Sequence, residues 1–82
     1  MEMDGESKAN FAGNEILLLE DDALLSKRLT ASLEFMGAEV TTAANLAEAR
    51  SALDNLHFDF ALLDLNLPDG LSLDLLREGA VP

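Results

Sequence analysis

The chain spans 82 residues, room for one small domain that buries only roughly 60–65% of the surface it exposes when unfolded, and 49% apolar content is enough to argue against wholesale disorder. Sixteen acids against five bases give a net charge of −11, so repulsion from phosphates disfavours direct nucleic-acid contact by this segment; the absence of cysteine excludes disulfide, thiolate-metal and cysteine-nucleophile chemistry and fits a reducing, cytoplasmic setting. The longest apolar runs are far short of the ~20 residues that span a bilayer, and no basic segment followed by an apolar one marks a signal peptide, so no membrane association is expected.

Residues 1–13 are polar, aperiodic and glycine-containing, and read as a flexible tail; residues 14–82 form the folded part. Residues 15–20 are strand-like, and Leu17, Leu18 and Leu19 lack polar alternation, as in a parallel strand covered on both faces. Residues 23–36 are helical: Leu25, Leu29 and Leu33 recur every four residues, Leu24 and Ala31 widen the stripe, and Gly37 supplies a C-terminal cap. Phe35 and Met36 are expected at the edge of the core. Residues 38–43 form a weaker strand, expected near a sheet edge.

Asn45 with Glu48 three residues on makes a capping box for a second helix, with Leu46, Ala49, Leu53 and Leu56 as its buried stripe. Residues 59–64 are a third strand, 65–70 its loop, and a third helix is expected from about Leu71 to Gly79, carrying Leu73, Leu75 and Leu76. This β-α-β-α-β-α pattern with right-handed crossovers predicts an α/β fold, a parallel sheet with helices on both faces. Ala80, Val81 and Pro82 look like the start of another strand.

Two of these strands deliver acids at their C-terminal ends, Glu20, Asp21 and Asp22 after the first and Asp64 after the third. Sites in open parallel α/β sheets lie beyond those ends, where the crossover direction reverses. If the first strand lies between the other two, Glu20, Asp21 and Asp64 become neighbours and repel strongly unless a cation compensates. Oxygen ligands that leave room for water suit Mg²⁺, and a cation beside a carboxylate also neutralises an incoming phosphoryl group. Asp64 is therefore a candidate nucleophile forming an aspartyl phosphate. Asn66 could offer its backbone carbonyl to the metal, and the Pro68-Asp69-Gly70 turn breaks the strand.

The segments ILLLEDD and ALLDLNLPDG resemble the receiver domain of bacterial two-component response regulators. The resemblance covers residues 14–82 and implies a flavodoxin-like (CheY-like) sheet, of which the first three βα units are present in strand order 2-1-3. It implies that Glu20 and Asp21 are the acidic pair that helps bind Mg²⁺, that Asp64 is the phosphoacceptor, that Asn66 is the carbonyl donor, and that a sensor histidine kinase or phosphotransfer protein is the partner. The family's fourth strand, ending in Ser or Thr, and fifth, ending in Lys, have no counterpart in these residues. Phosphorylation is thus expected to be impaired, and the third strand to be an exposed edge open to self-association.

The resemblance implies a switch and not an enzyme. The competing readings are a non-signalling receiver fragment that acts only as a binding or dimerisation element, and a haloacid-dehalogenase-type phosphatase. The latter needs Asp-x-Asp, whereas Asn66 stands where the general acid belongs, and an amide cannot protonate a leaving group. A dinucleotide site is excluded because acids, not Gly-x-Gly-x-x-Gly, follow the first strand. Among the blander assignments, Asp22 suits a charge at a helix start, His57 a surface connector, and Lys27 and Arg28 a solvated helix face.

Overall fold

The computed structural model describes residues 12–64 and 66–79. In chain order the elements are β1 (Glu15–Leu19), α1 (Ala23–Phe35), β2 (Glu39–Ala43), α2 (Leu46–Asn55), β3 (Phe60–Leu63), β4 (Asn66–Leu67), β5 (Gly70–Leu71) and α3 (Leu73–Arg77). The first three strands form a parallel sheet in the order β2-β1-β3, as expected, with β1 central and β2 at an edge. Of the tail expected over residues 1–13, residues 1–11 lie outside the described residues, as does the strand start expected at residues 80–82. Within residues 12–13, the Gly13 N–H donates to the Gly37 carbonyl at 3.2 Å.

Helices cover both faces of β1, which is why its apolar run needs no alternation. Leu17 and Leu19 face one core with Ala43, Leu46, Ala49, Phe58 and Leu75, built under α2 and α3. Ile16 faces the other, with Leu33 and Ala38 under α1, and Met36 and Val40 pack against it. Ile16 to Leu19 are all at most 2% exposed, and each such side chain contributes about 1.5–3 kcal/mol over leaving it in water.

Parallel register carries the chain ends to one edge. Leu19 stands opposite both Ala43 and Leu63, and the ladder runs one bond further on each side: Glu20 N–H to Ala43 C=O at 3.0 Å, and Asp64 N–H to Leu19 C=O at 2.9 Å. Glu20 and Asp64 thereby leave the sheet side by side.

Several packing expectations are corrected. The α1 stripe is buried only at Leu33, with Leu29 half-buried, while Leu24, Leu25 and Ala31 are exposed. A hollow of about 380 Å³ separates Leu29 from Leu62 and Leu63, so the first turns of α1 stand off the β3 side of the sheet. Phe35 is 85% exposed, because two residues on from Leu33 it projects from the far side of the helix. Leu56 falls beyond the end of α2 and is exposed, and of the leucines in α3 only Leu75 is fully buried.

The third helix also starts later than its leucines suggest. Residues 66–71 are not an open loop: Asn66 pairs with Leu71 and Leu67 with Gly70 in an antiparallel ladder. Gly70 adopts φ +146°, a conformation glycine tolerates and other residues resist. The chain turns back on itself at Pro68 and Asp69, so helical geometry begins only at Ser72 (φ −62°, ψ −22°).

Candidate functional site

The strand ends bring three carboxylates together. One oxygen each of Glu20, Asp21 and Asp64 lies within 4.8 Å of the others, with Glu20 and Asp64 half-buried and Asp21 exposed. Glu20 and Asp64 line the hollow beneath α1, and Glu20 and Asp21 edge an open groove of about 600 Å³ along the same helix, with Lys27, Thr30 and Glu48 among its other walls. The cluster is accessible from solvent, and its floor is the apolar end of the sheet.

Neighbouring acids do different work. Asp22 is the N-cap of α1, its Oδ1 accepting from Leu25 N–H at 3.0 Å, and Asp22 N–H in turn donates to Glu20 Oε2 at 3.1 Å. Asp22 is therefore occupied at the helix start, in keeping with its reading as a helix-terminal charge. Glu20 is braced by that contact. Asn66 opens β4, two residues past Asp64. His57 is a surface side chain, 87% exposed and 3.7 Å from Asp59.

Two acids matter more than the sequence pattern suggested. Asp69, at the tip of the β4–β5 hairpin, accepts from Leu46 N–H at 2.7 Å and from Ala47 N–H at 3.1 Å. The Leu46 bond does most to hold its carboxyl pKa below the ordinary 3.8, against an opposing cost of desolvation. At the other end of the sheet Asp59 accepts from Glu15 N–H at 2.8 Å, which likewise lowers its carboxyl pKa. Both contacts span more than twenty residues, so no local motif signals them.

Comparison with known proteins identifies the family of the chain. The family model of the response regulator receiver domain matches residues 16–78. The chain belongs to that family. It is a receiver domain of the two-component response regulators, proteins of phosphorelay signal transduction. The chain is 44% identical over 61 residues to the swarming motility regulation protein RssB of Serratia marcescens, covering 74% of this chain and 28% of that protein. It is 38% identical over 64 residues to the two-component response regulator PhoP of Pseudomonas aeruginosa, covering 78% of this chain and 28% of the relative. Among solved structures it resembles the non-phosphorylated HemR receiver domain from Leptospira biflexa, with a TM-score of 0.75, 38% identity, and coverage of 79% of this chain and 52% of that one. This receiver sequence thus spans less than a third of the length of these curated relatives. No helix among the described residues is long and apolar enough to cross a membrane.

Proposed function

We propose that this receiver domain accepts a phosphoryl group on the Asp64 carboxylate from a phosphohistidine of a sensor histidine kinase or phosphotransfer protein in the cytoplasm. Glu20, Asp21, Asp64 and the Asn66 backbone carbonyl would hold Mg²⁺. The observation that carries this reading is the convergence of the three carboxylates to within 4.8 Å at the strand ends.

The donor set fits the ion. Octahedral Mg²⁺ with oxygens at about 2.0–2.1 Å needs ligand pairs roughly 3 Å apart when adjacent and about 4.2 Å apart when opposite. The three carboxylates are close enough for small side-chain rotations to reach those spacings. When bound, the cation would supply charge neutralisation for three carboxylates and the incoming phosphoryl oxygens.

The chain's own groups do the rest. An Asp64 oxygen attacks phosphorus, a new O–P bond forms, the P–N bond to the donor imidazole breaks, and the imidazole nitrogen leaves with the electron pair and takes up a proton. The backbone of Asp64 is held by its N–H bond to Leu19, which fixes the nucleophile relative to Glu20. Receiver domains are generally signalling modules, and the single transfer step written here ends on the protein without turnover of a substrate.

Incubation with acetyl phosphate and Mg²⁺, resolved on phosphate-affinity gels, tests the reading. The wild-type chain is expected to show a slower band that Asp64→Asn lacks; an identical shift in both would remove Asp64 as acceptor.

A second reading, self-association through β3, draws support from Phe60 and Leu62, which are 48% and 43% exposed on that strand. A second copy burying this apolar face would appear as a concentration-dependent dimer in ultracentrifugation. A monomer at all concentrations would rule it out.

A further inference from the structure

We propose that Asp69 is a positioning residue of the Asp64 site, tying the hairpin that leaves Asp64 to the N-terminus of α2 and so fixing where the Asn66 carbonyl sits. The inference rests on the reading of Asp64 and its neighbours as a Mg²⁺ and phosphoryl site.

The first four N–H groups of a helix have no partner within it. In α2 those of Leu46, Ala47 and Glu48 are satisfied, and by two separate sources. Glu48 N–H donates to Asn45 Oδ1 at 2.8 Å and Ala49 N–H to Asn45 C=O at 3.1 Å, the local cap that the sequence encodes. Leu46 and Ala47 donate instead to the two carboxylate oxygens of Asp69, 23 and 22 residues further along the chain. A helix that needed only a cap has one in Asn45. What Asp69 adds is a two-point, charge-assisted clamp between α2 and the loop after Asp64.

Further contacts brace the clamp. A Cβ on Gly70 would lie 2.7 Å from Leu46 Cδ1, so the hairpin rests directly on the first residue of α2. The pairing of Asn66 with Leu71 and Leu67 with Gly70 closes the hairpin, so the tip and Asn66 move together. At the other end, Asp64 is pinned by its N–H bond to Leu19. Arg50 and Glu78, 2.6 Å apart, make a second tie between α2 and the residue that follows α3. Asp64 and the hairpin are therefore each anchored, and Asp69 is the outer anchor.

The test compares Asp69→Ala, Asp69→Asn and Asn45→Ala with the wild-type chain, measuring Mg²⁺ affinity by calorimetry and the amide shifts of Asn66 and Leu67 by NMR in metal-free buffer. Asp69→Ala is expected to weaken Mg²⁺ binding by roughly 10- to 100-fold, the usual effect of losing a group that orients a ligand, and to move both amides. Asp69→Asn, which keeps one acceptor oxygen and remains folded if the alanine variant does not, is expected to lie between. Asn45→Ala removes a cap from the same helix and is expected to leave Mg²⁺ affinity and the two amides near wild type. Equal Mg²⁺ affinity in the wild type and in the folded Asp69 variants, or equal weakening by Asn45→Ala, would make Asp69 a helix cap only and overturn the proposal while the Asp64 site stands. Failure of the wild type itself to bind Mg²⁺ would overturn the site reading and this proposal together.

Discussion

Replacing Asp64 with asparagine should make the metal-free domain more stable, because it removes one of three like charges crowded at the strand ends. One oxygen of each carboxylate lies within 4.8 Å of the others, and two unit charges at that separation repel by about 0.9 kcal/mol at the dielectric constant of water. Asp64 faces two such partners, so about 1.7 kcal/mol is relieved before salt is considered. Screening at about 0.1 M ionic strength and residual repulsion in the unfolded chain reduce this to about 1 kcal/mol. For a domain of this size that corresponds to a rise in Tm of about 4–8 °C. The substitution is nearly isosteric and leaves the backbone bond from Asp64 N–H to Leu19 untouched. Thermal unfolding followed by circular dichroism, in EDTA at low salt, reads the difference directly. The gap should narrow as salt approaches about 1 M, where the screening length falls to about 3 Å. Mg²⁺ should raise the wild-type Tm more than that of the variant, since ligand binding to the folded state adds about 2.7 kcal/mol at a hundredfold excess over Kd. A variant no more stable than wild type in EDTA, or a gap that ignores salt, would refute the electrostatic reasoning.

Other perturbations probe the scaffold that presents the site. Leu75→Ala empties a fully buried position that anchors α3; it should cost about 2–5 kcal/mol, a large share of the roughly 4–12 kcal/mol available to a chain of this length, and a Tm within error of wild type in a thermal melt would contradict the packing described. Gly70→Ala places a methyl group against Leu46 at a φ of +146° and should destabilise by about 1–3 kcal/mol in urea titrations, whereas a neutral result would mean the hairpin does not rest on α2. Asp59, Asp69 and Glu78 have carboxyl pKa values held below the ordinary 3.8 for Asp and 4.5 for Glu, chiefly by hydrogen bonds from Glu15, Leu46 and Arg50 respectively. A depressed folded-state pKa contributes stability that is fully present above the unfolded-state value and is lost as pH falls through the folded-state value. Melting temperature should therefore hold steady above about pH 5 and decline below about pH 4, less steeply in Asp69→Asn; a profile unchanged by that substitution would speak against the clamp.

The sheet was legible because its signals are local. An unbroken apolar run at Ile16 to Leu19, a weaker strand expected at 38–43 and a third at 59–64 gave the βαβ pattern, whereas the strand order came from the family resemblance and not from the pattern. The acids followed from their position immediately after buried strands, where register alone brings Glu20 beside Asp64. Hidden were the features that depend on how far one element stands from another. The stripe of Leu24, Leu25 and Leu29 has a helical period, but period says nothing of the hollow between α1 and β3. The Pro68-Asp69-Gly70 turn was visible as a turn. That its aspartate reaches Leu46 and Ala47 was not, since the contact needs both the hairpin pairing and the placement of α2 above the strand ends.

The most direct test of the Asp64 site is intact-mass spectrometry after exposure to acetyl phosphate with Mg²⁺ or with EDTA, followed by borohydride trapping and peptide mapping. A single added phosphoryl group, located on Asp64, dependent on Mg²⁺ and abolished when Glu20→Gln and Asp21→Asn are combined, is the expected result. Label on another residue, or label on Asp64 undiminished by EDTA, would contradict a cation-assisted phosphoacceptor built from these three carboxylates.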